Sequence, residues 1–134
     1  GRSQAQVSSH RPRRRFAQNF LVDREVIRSI IGLVRPKKGE VVVEIGPGRG
    51  ALTNGLVAGL ERLVAVEIDR DLAAMLHERL GAKGLHLIEG DILEVDLGQV
   101  LRDEGGDSLL IVGNLPYNIT APLIFHFLAQ GTSS

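Results

Sequence analysis

Val41-Val42-Val43-Glu44-Ile45-Gly46-Pro47-Gly48-Arg49-Gly50 reads as a buried strand that runs straight into a glycine turn. The β-branched run is what a strand covered on both faces requires. Leu52, Leu56 and Leu60 then fall on one face of a helical pattern. Glycines at such a turn let backbone approach a ligand closely, and the helix N-terminus behind them carries partial positive charge. The turn is therefore a candidate nucleotide-cofactor site. Gly46-x-Gly48-x-x-Ala51 also fits the dinucleotide fingerprint, with Glu67 about twenty residues further on for a ribose. A tight structural connection is the bland alternative.

Acids at three strand ends narrow the choice of ligand. Glu44 lies just before the glycines, where a carboxylate can hold an amino-acid ammonium directly or through water. Glu67 closes a second apolar run, Leu63-Val64-Ala65-Val66, and is placed to accept both hydroxyls of a ribose. Asp91 follows a third, Leu85-His86-Leu87-Ile88, where it can accept the amino group of an adenine. Ammonium, ribose and adenine together describe S-adenosyl-L-methionine. A dinucleotide enzyme needs the second acid and has no obvious use for the other two. Helix N-capping is the competing account. It suits Asp69 and Asp71 well, and Glu44, inside an apolar strand, poorly.

The fourth apolar run, Leu109-Leu110-Ile111, leads into Val112-Gly113-Asn114-Leu115-Pro116-Tyr117. Asn114 offers a carbonyl acceptor, Pro116 fixes the direction of the Leu115 carbonyl, and Tyr117 offers a flat face. These groups suit an amino group on a planar base. Beyond the carboxyl end of a strand is also where open α/β sheets bind ligands.

Around these segments the chain reads as one α/β domain of alternating strands and helices, which implies a parallel sheet with right-handed crossovers. Asp23 caps a helix that carries Val26, Ile27, Ile30, Ile31 and Val34 on one side and ends at Arg35-Pro36. A last helix is expected from about Pro122 to Ala129, burying Leu123, Ile124, Phe127 and Leu128. His126 is read there as packing or surface.

Five blocks resemble the ribosomal RNA adenine dimethyltransferase family, most closely its bacterial small-subunit branch. They are Arg15-Phe16-Ala17-Gln18-Asn19-Phe20-Leu21, Glu44 to Thr53, Val66-Glu67-Ile68-Asp69, Gly90-Asp91-Ile92-Leu93, and Gly113-Asn114-Leu115-Pro116-Tyr117-Asn118-Ile119-Thr120. The first and last are the specific ones, and Ala17 stands where the family more often has Gly. The resemblance implies a class I, Rossmann-like methyltransferase fold with strand order 3-2-1-4. It makes residues 12–130 the N-terminal part of the cofactor domain, preceded by a basic arm at 1–11. By the same resemblance Asn19 and Leu21 close over S-adenosyl-L-methionine, and Gly46, with Gly48, lines its methionine moiety. Glu67 takes the ribose, Asp91 the adenine, Ile68 and Ile92 its apolar walls, and Asn114 the target amine beside the methyl group.

The family continues with further strands and an RNA-binding helical domain, so the chain is expected to be a fragment. An open edge along 109–113, self-association and loss of activity are expected with it, from a parent that is a monomer. Residues 1–15 hold five arginines and no acid, while the remainder carries a net charge of −5. Arg11, Arg13, Arg14 and Arg15 are candidates for RNA phosphate contact, and the first nine residues for a passive tail. Without cysteine there is no disulfide or thiolate metal site, and the histidines lack ligand spacing. No stretch approaches membrane-span length, so a cytoplasmic enzyme is expected, acting on immature small ribosomal subunits without metal. Three alternatives stay open: a large-subunit RNA methyltransferase conferring antibiotic resistance, a nicotinamide-dependent oxidoreductase, and a non-catalytic RNA-binding or assembly module.

Overall fold

The computed structural model describes residues 24–114 and 122–128. Helix α1 (Arg24–Leu33) leads into β1 (Glu40–Ile45), α2 (Ala51–Gly59), β2 (Leu63–Glu67), α3 (Arg70–Leu80) and β3 (Leu85–Glu89). Helix α4 (Leu97–Glu104), β4 (Ser108–Asn114) and β5 (Pro122–Leu128) complete the order. Single 3-10 turns follow α3 and β3 at Gly81–Lys83 and Ile92–Glu94. The sheet runs β3-β2-β1-β4-β5, and the first four strands are parallel in the expected order 3-2-1-4.

Strand alternation divides the core between the two faces. Val42, Ala65, Leu110 and Val112 pack with Ile30 of α1, Val34 just after it, Leu52 and Leu56 of α2, and Leu76 of α3. Val43, Val64, Val66 and Leu109 face the other way and meet Val100 and Leu101 of α4. Each fully buried side chain of this size contributes about 1.5–3 kcal/mol by leaving water. Leu60 ends the run of leucines just outside α2, in extended conformation, and still packs against the first cluster.

Local chemistry sets the helix limits. Asp69 caps α3 by accepting from the Asp71 and Leu72 amides at 2.9 and 3.0 Å. Asp71 itself lies in the first turn, where its charge favours the helix dipole. Asp96 caps α4 through Gln99 N at 3.1 Å, and Gly105 stops that helix at φ +72°. Asp23, expected to cap α1, lies outside the described residues.

The helix expected from Pro122 is instead β5, antiparallel to β4 along its whole length from Asn114↔Pro122 to Ser108↔Leu128. A seven-residue run, apolar but for His126, satisfies either period, and β-branched and aromatic residues such as Ile124, Phe125 and Phe127 suit a strand. The side of β4 away from β1 offers a row of backbone donors and acceptors, and strand pairing satisfies them where a helix would not. Proline at the first residue of a strand costs little. Residues 109–113 therefore have no open edge, which corrects that expectation too. His126, exposed, reaches across β4 to pair with Glu40 at 2.7 Å.

Phe125→Pro tests this pairing, since proline breaks the ladder. Hydrogen exchange should quicken at Leu110–Val112 while β1, β2 and β3 stay protected. Unchanged exchange in β4 would place residues 122–128 off the sheet.

Candidate functional site

The carboxyl ends of β1, β2 and β3 converge on the glycine turn. Gly46 donates to Val66 O at 2.9 Å, and Gly90, just after β3, donates to Glu67 O at 2.9 Å. The Glu67 side chain is buried and accepts twice from backbone, from Gly48 N at 3.0 Å on Oε1 and from Asp69 N at 2.9 Å on Oε2. One carboxylate thus ties the glycine turn to the loop after β2. Each oxygen still has acceptor capacity for a diol.

Gly46, Gly48 and Gly50 have φ of +69°, +61° and +91°, a region that disfavours side chains. Among the described residues, a Cβ on Gly46 or Gly48 would meet nothing within 4 Å. A Cβ on Gly50 would lie 2.6 Å from Arg79 Nη2 and 2.7 Å from Leu76 Cδ2. Gly50 is thus a packing glycine, and Gly46 and Gly48 form a cradle. Arg79 fixes the turn further by donating to Arg49 O at 3.0 Å.

Glu44 is buried, and its Oε1 accepts from Thr53 Oγ1 at 2.7 Å. Among the described residues Oε2 has no donor. Burial pushes the Glu44 pKa up to about 7; the Thr53 hydrogen bond opposes the rise and the nearby Glu67 carboxylate adds to it. A buried acceptor without a partner is rare and points to an absent ligand or solvent group. Thr53 was not assigned a role from sequence. The available signal was its place one turn inside α2, facing the strand that carries Glu44.

Asp91 partly satisfies the capping account, because its Oδ1 accepts from Leu93 N at 2.9 Å in the 3-10 turn after β3. Ile92 packs inward on the α4 side, whereas Ile68 stands exposed beside Glu67. The pair expected to wall an adenine therefore differ in burial. Leu93 is also exposed at this end of the sheet.

Gly113 pairs with Ile45, the last residue of β1, and Asn114 follows it as the last residue of β4. The strand that ends in the expected target-amine residue thus runs beside the strand that leads into the glycine turn. Leu115, Pro116, Tyr117, Asn19, Leu21, Arg11, Arg13, Arg14 and Arg15 lie outside the described residues. Cavities of about 360 and 330 Å³ open at the opposite, amino-terminal end of the strands and share Arg62 and Glu104. None of the site residues lines them.

The donor set fits a nucleoside that carries an amino-acid cation. The cradle admits a chain beside backbone, Glu44 Oε2 awaits a cation, Glu67 has acceptors for a diol, and Asp91 has Oδ2 for an amine. A dinucleotide leaves Glu44 unexplained. No cluster of potential metal ligands occurs among the described residues, nor a helix long and apolar enough to cross a membrane.

Comparison with known proteins shows the family and the fold. The family model described as Ribosomal RNA adenine dimethylase matches residues 9–134. "Ribosomal RNA small subunit methyltransferase A" of Aromatoleum aromaticum is 53% identical over 120 residues, covering 90% of this chain and 43% of that protein. Its namesake in Nitrosospira multiformis is 51% identical over 117 residues, covering 87% and 43%. The chain thus spans less than half the length of these curated relatives. The crystal structure of the 23S rRNA methyltransferase ErmE superposes with a TM-score of 0.52 at 22% identity, over 71% of this chain and 48% of that one. That likeness shows the fold alone: a Rossmann-like methyltransferase sheet.

The two kinds of glycine separate in a stability experiment. Gly46→Ala should cost about 1–2 kcal/mol, the strain of a left-handed residue. Gly50→Ala should cost more, because its Cβ also displaces Leu76 and Arg79. Urea unfolding midpoints check the order, and equal losses would remove the distinction.

Proposed function

The chain belongs to the ribosomal RNA adenine dimethylase family, and on that footing we propose that it holds the methyl-donor site of an enzyme that dimethylates the N6 amines of two adjacent adenines in small-subunit ribosomal RNA. The observation that carries the reading is the register of β4 on β1, with Gly113 opposite Ile45, which sets the strand that ends in Asn114 beside the strand that leads into the glycine turn. The names of the two curated relatives support the small subunit as target.

S-adenosyl-L-methionine, when bound, supplies an electrophilic methyl group on a sulfonium. Glu44 receives the α-ammonium, Gly46 and Gly48 admit the methionine chain, Glu67 takes the ribose hydroxyls and Asp91 the adenine amine. Ile68 and Ile92 flank the adenine ring, with Asn19 and Leu21 closing over it.

The exocyclic amine of adenine is a poor nucleophile because its lone pair is delocalised into the ring. Asn114 and the Leu115 carbonyl accept its two hydrogens, which favours a pyramidal nitrogen with its lone pair directed at the methyl carbon. Pro116 fixes that carbonyl, and Tyr117 stacks on the base, a contact worth about 1–3 kcal/mol. Bound S-adenosyl-L-methionine would supply its methyl group in line with that lone pair, and the surplus N–H proton would leave to solvent. Positioning and fixed dipoles supply the catalysis, and no strong base is needed. The target adenine is flipped out or single-stranded. Arg11, Arg13, Arg14 and Arg15 hold RNA phosphates without reading sequence.

Calorimetry should show binding of S-adenosyl-L-methionine and none of a nicotinamide dinucleotide. Asp91→Ala should weaken binding by about 1.5–3 kcal/mol, the value of a hydrogen bond to a charged group. The reverse preference would overturn the assignment. Labelled methyl transfer to immature small subunits, with Asn114→Ala as control, tests the substrate, and labelling of large-subunit RNA alone would move the target.

Replacing two of the four arginines should flatten the salt dependence of RNA affinity by about one to two units of slope. An unchanged slope would make the arm a passive tail.

A further inference from the structure

Thr53 has no solvent exposure, yet it spends its hydroxyl on a single acceptor, Glu44 Oε1 at 2.7 Å. Thr53 is the third residue of α2, in its first turn, where no preceding helical turn offers its hydroxyl a carbonyl. Here it spans from α2 to β1 and fixes one oxygen of a buried carboxyl group, while the other oxygen keeps no donor among the described residues. Among the described residues, Glu67 on β2 is the charged group acting on Glu44, and its ladder neighbours Ala65 and Val112 carry no charge.

We infer that Thr53 is a positioning residue for the α-ammonium of the cofactor: its hydroxyl orients Glu44 so that the free oxygen is kept for the cation, whose arrival drives a proton from Glu44 to solvent. This rests on the cofactor reading above. The free protein holds Glu44 largely as the neutral acid below pH 7, because burial and the Glu67 carboxylate oppose a second negative charge there. An ammonium beside it restores the balance of charge, so binding favours the ionised form and releases the proton. Affinity for a ligand with the ammonium therefore rises with pH, and affinity for one without it does not.

The test compares S-adenosylhomocysteine, which carries the ammonium, with 5′-methylthioadenosine, which keeps adenine and ribose but lacks the amino-acid end. Calorimetry between about pH 5.5 and 7 stays below the ordinary α-amino pKa of about 7.7–8.0, so the ligand remains charged. Affinity for S-adenosylhomocysteine should rise on the order of tenfold across that range, since only the ionised fraction is competent. Buffers of different ionisation enthalpy should report proton release, and 5′-methylthioadenosine should show neither effect.

Thr53→Val removes the hydroxyl at nearly constant volume. It should weaken S-adenosylhomocysteine by about tenfold or more at pH 7 and move the pH of half-maximal binding upward. Binding of 5′-methylthioadenosine should be unchanged, and Thr53→Ser should restore both properties. Glu44→Gln should bind S-adenosylhomocysteine weakly and without pH dependence. Equal weakening of both ligands by Thr53→Val, or an unshifted pH profile, would reduce Thr53 to a packing residue. If both ligands bind the unaltered chain with no proton release, the inference fails and the cofactor reading stands. If neither binds, both fail.

Discussion

The last two residues of β2 hold the functional end of the sheet together. Val66 O receives Gly46 from the turn after β1, and Glu67 O receives Gly90 from the turn after β3. The Glu67 side chain then takes Gly48 and Asp69, one on each oxygen. Three loops are thereby fixed to one strand end by backbone donors. Carboxylate bonds to N–H groups are roughly twice as strong as neutral ones. The arrangement explains why the turn can hold three glycines with positive φ, each conformationally costly for an unfolded chain to give up. A site preorganised in this way meets its ligand without reorganising.

Beside that tie lies its cost. Glu44 sits one strand away, fully buried, with one hydrogen bond and a second carboxylate acting on it. A rise from the usual 4.5 to about 7 corresponds to an ionised form disfavoured on the order of 3 kcal/mol. The sign follows from linkage: the folded state holds the proton more tightly than the unfolded chain, so this stability is fully present below 4.5 and lost as pH rises through about 7. An apolar side chain would serve folding better at neutral pH. Its place at the mouth of the glycine turn is where binding chemistry outweighs packing.

Much of this was legible in the residues. Buried parallel strands announce themselves as unbroken β-branched runs, and the glycines and acids at their ends mark the site because nothing in an apolar strand needs them. The failure at Pro122–Leu128 is equally physical. Six apolar residues and a histidine carry no decisive period, and the deciding factor was the free side of β4, a tertiary partner outside the run itself. Thr53 escaped for a related reason: its importance comes from an oxygen nine residues away, across a helix–strand contact that a linear reading does not display. Asp91 held two readings at once, since a carboxylate can cap a turn with one oxygen and keep the other.

The packing around Gly50 also bears on how such a chain can drift over generations. Gly46 and Gly48 are constrained by backbone conformation alone, so one change of residue meets one obstacle. Gly50 faces two, its φ of +91° and the bodies of Leu76 and Arg79. A smaller residue at position 76 would open the space and leave the conformational barrier, while emptying part of the core against α2. No single step toward a side chain at position 50 is neutral, and the first step away from Leu76 is itself harmful. Helix α3 therefore belongs to the physical definition of the turn, because a change at Leu76 or at Gly50 is felt at the other.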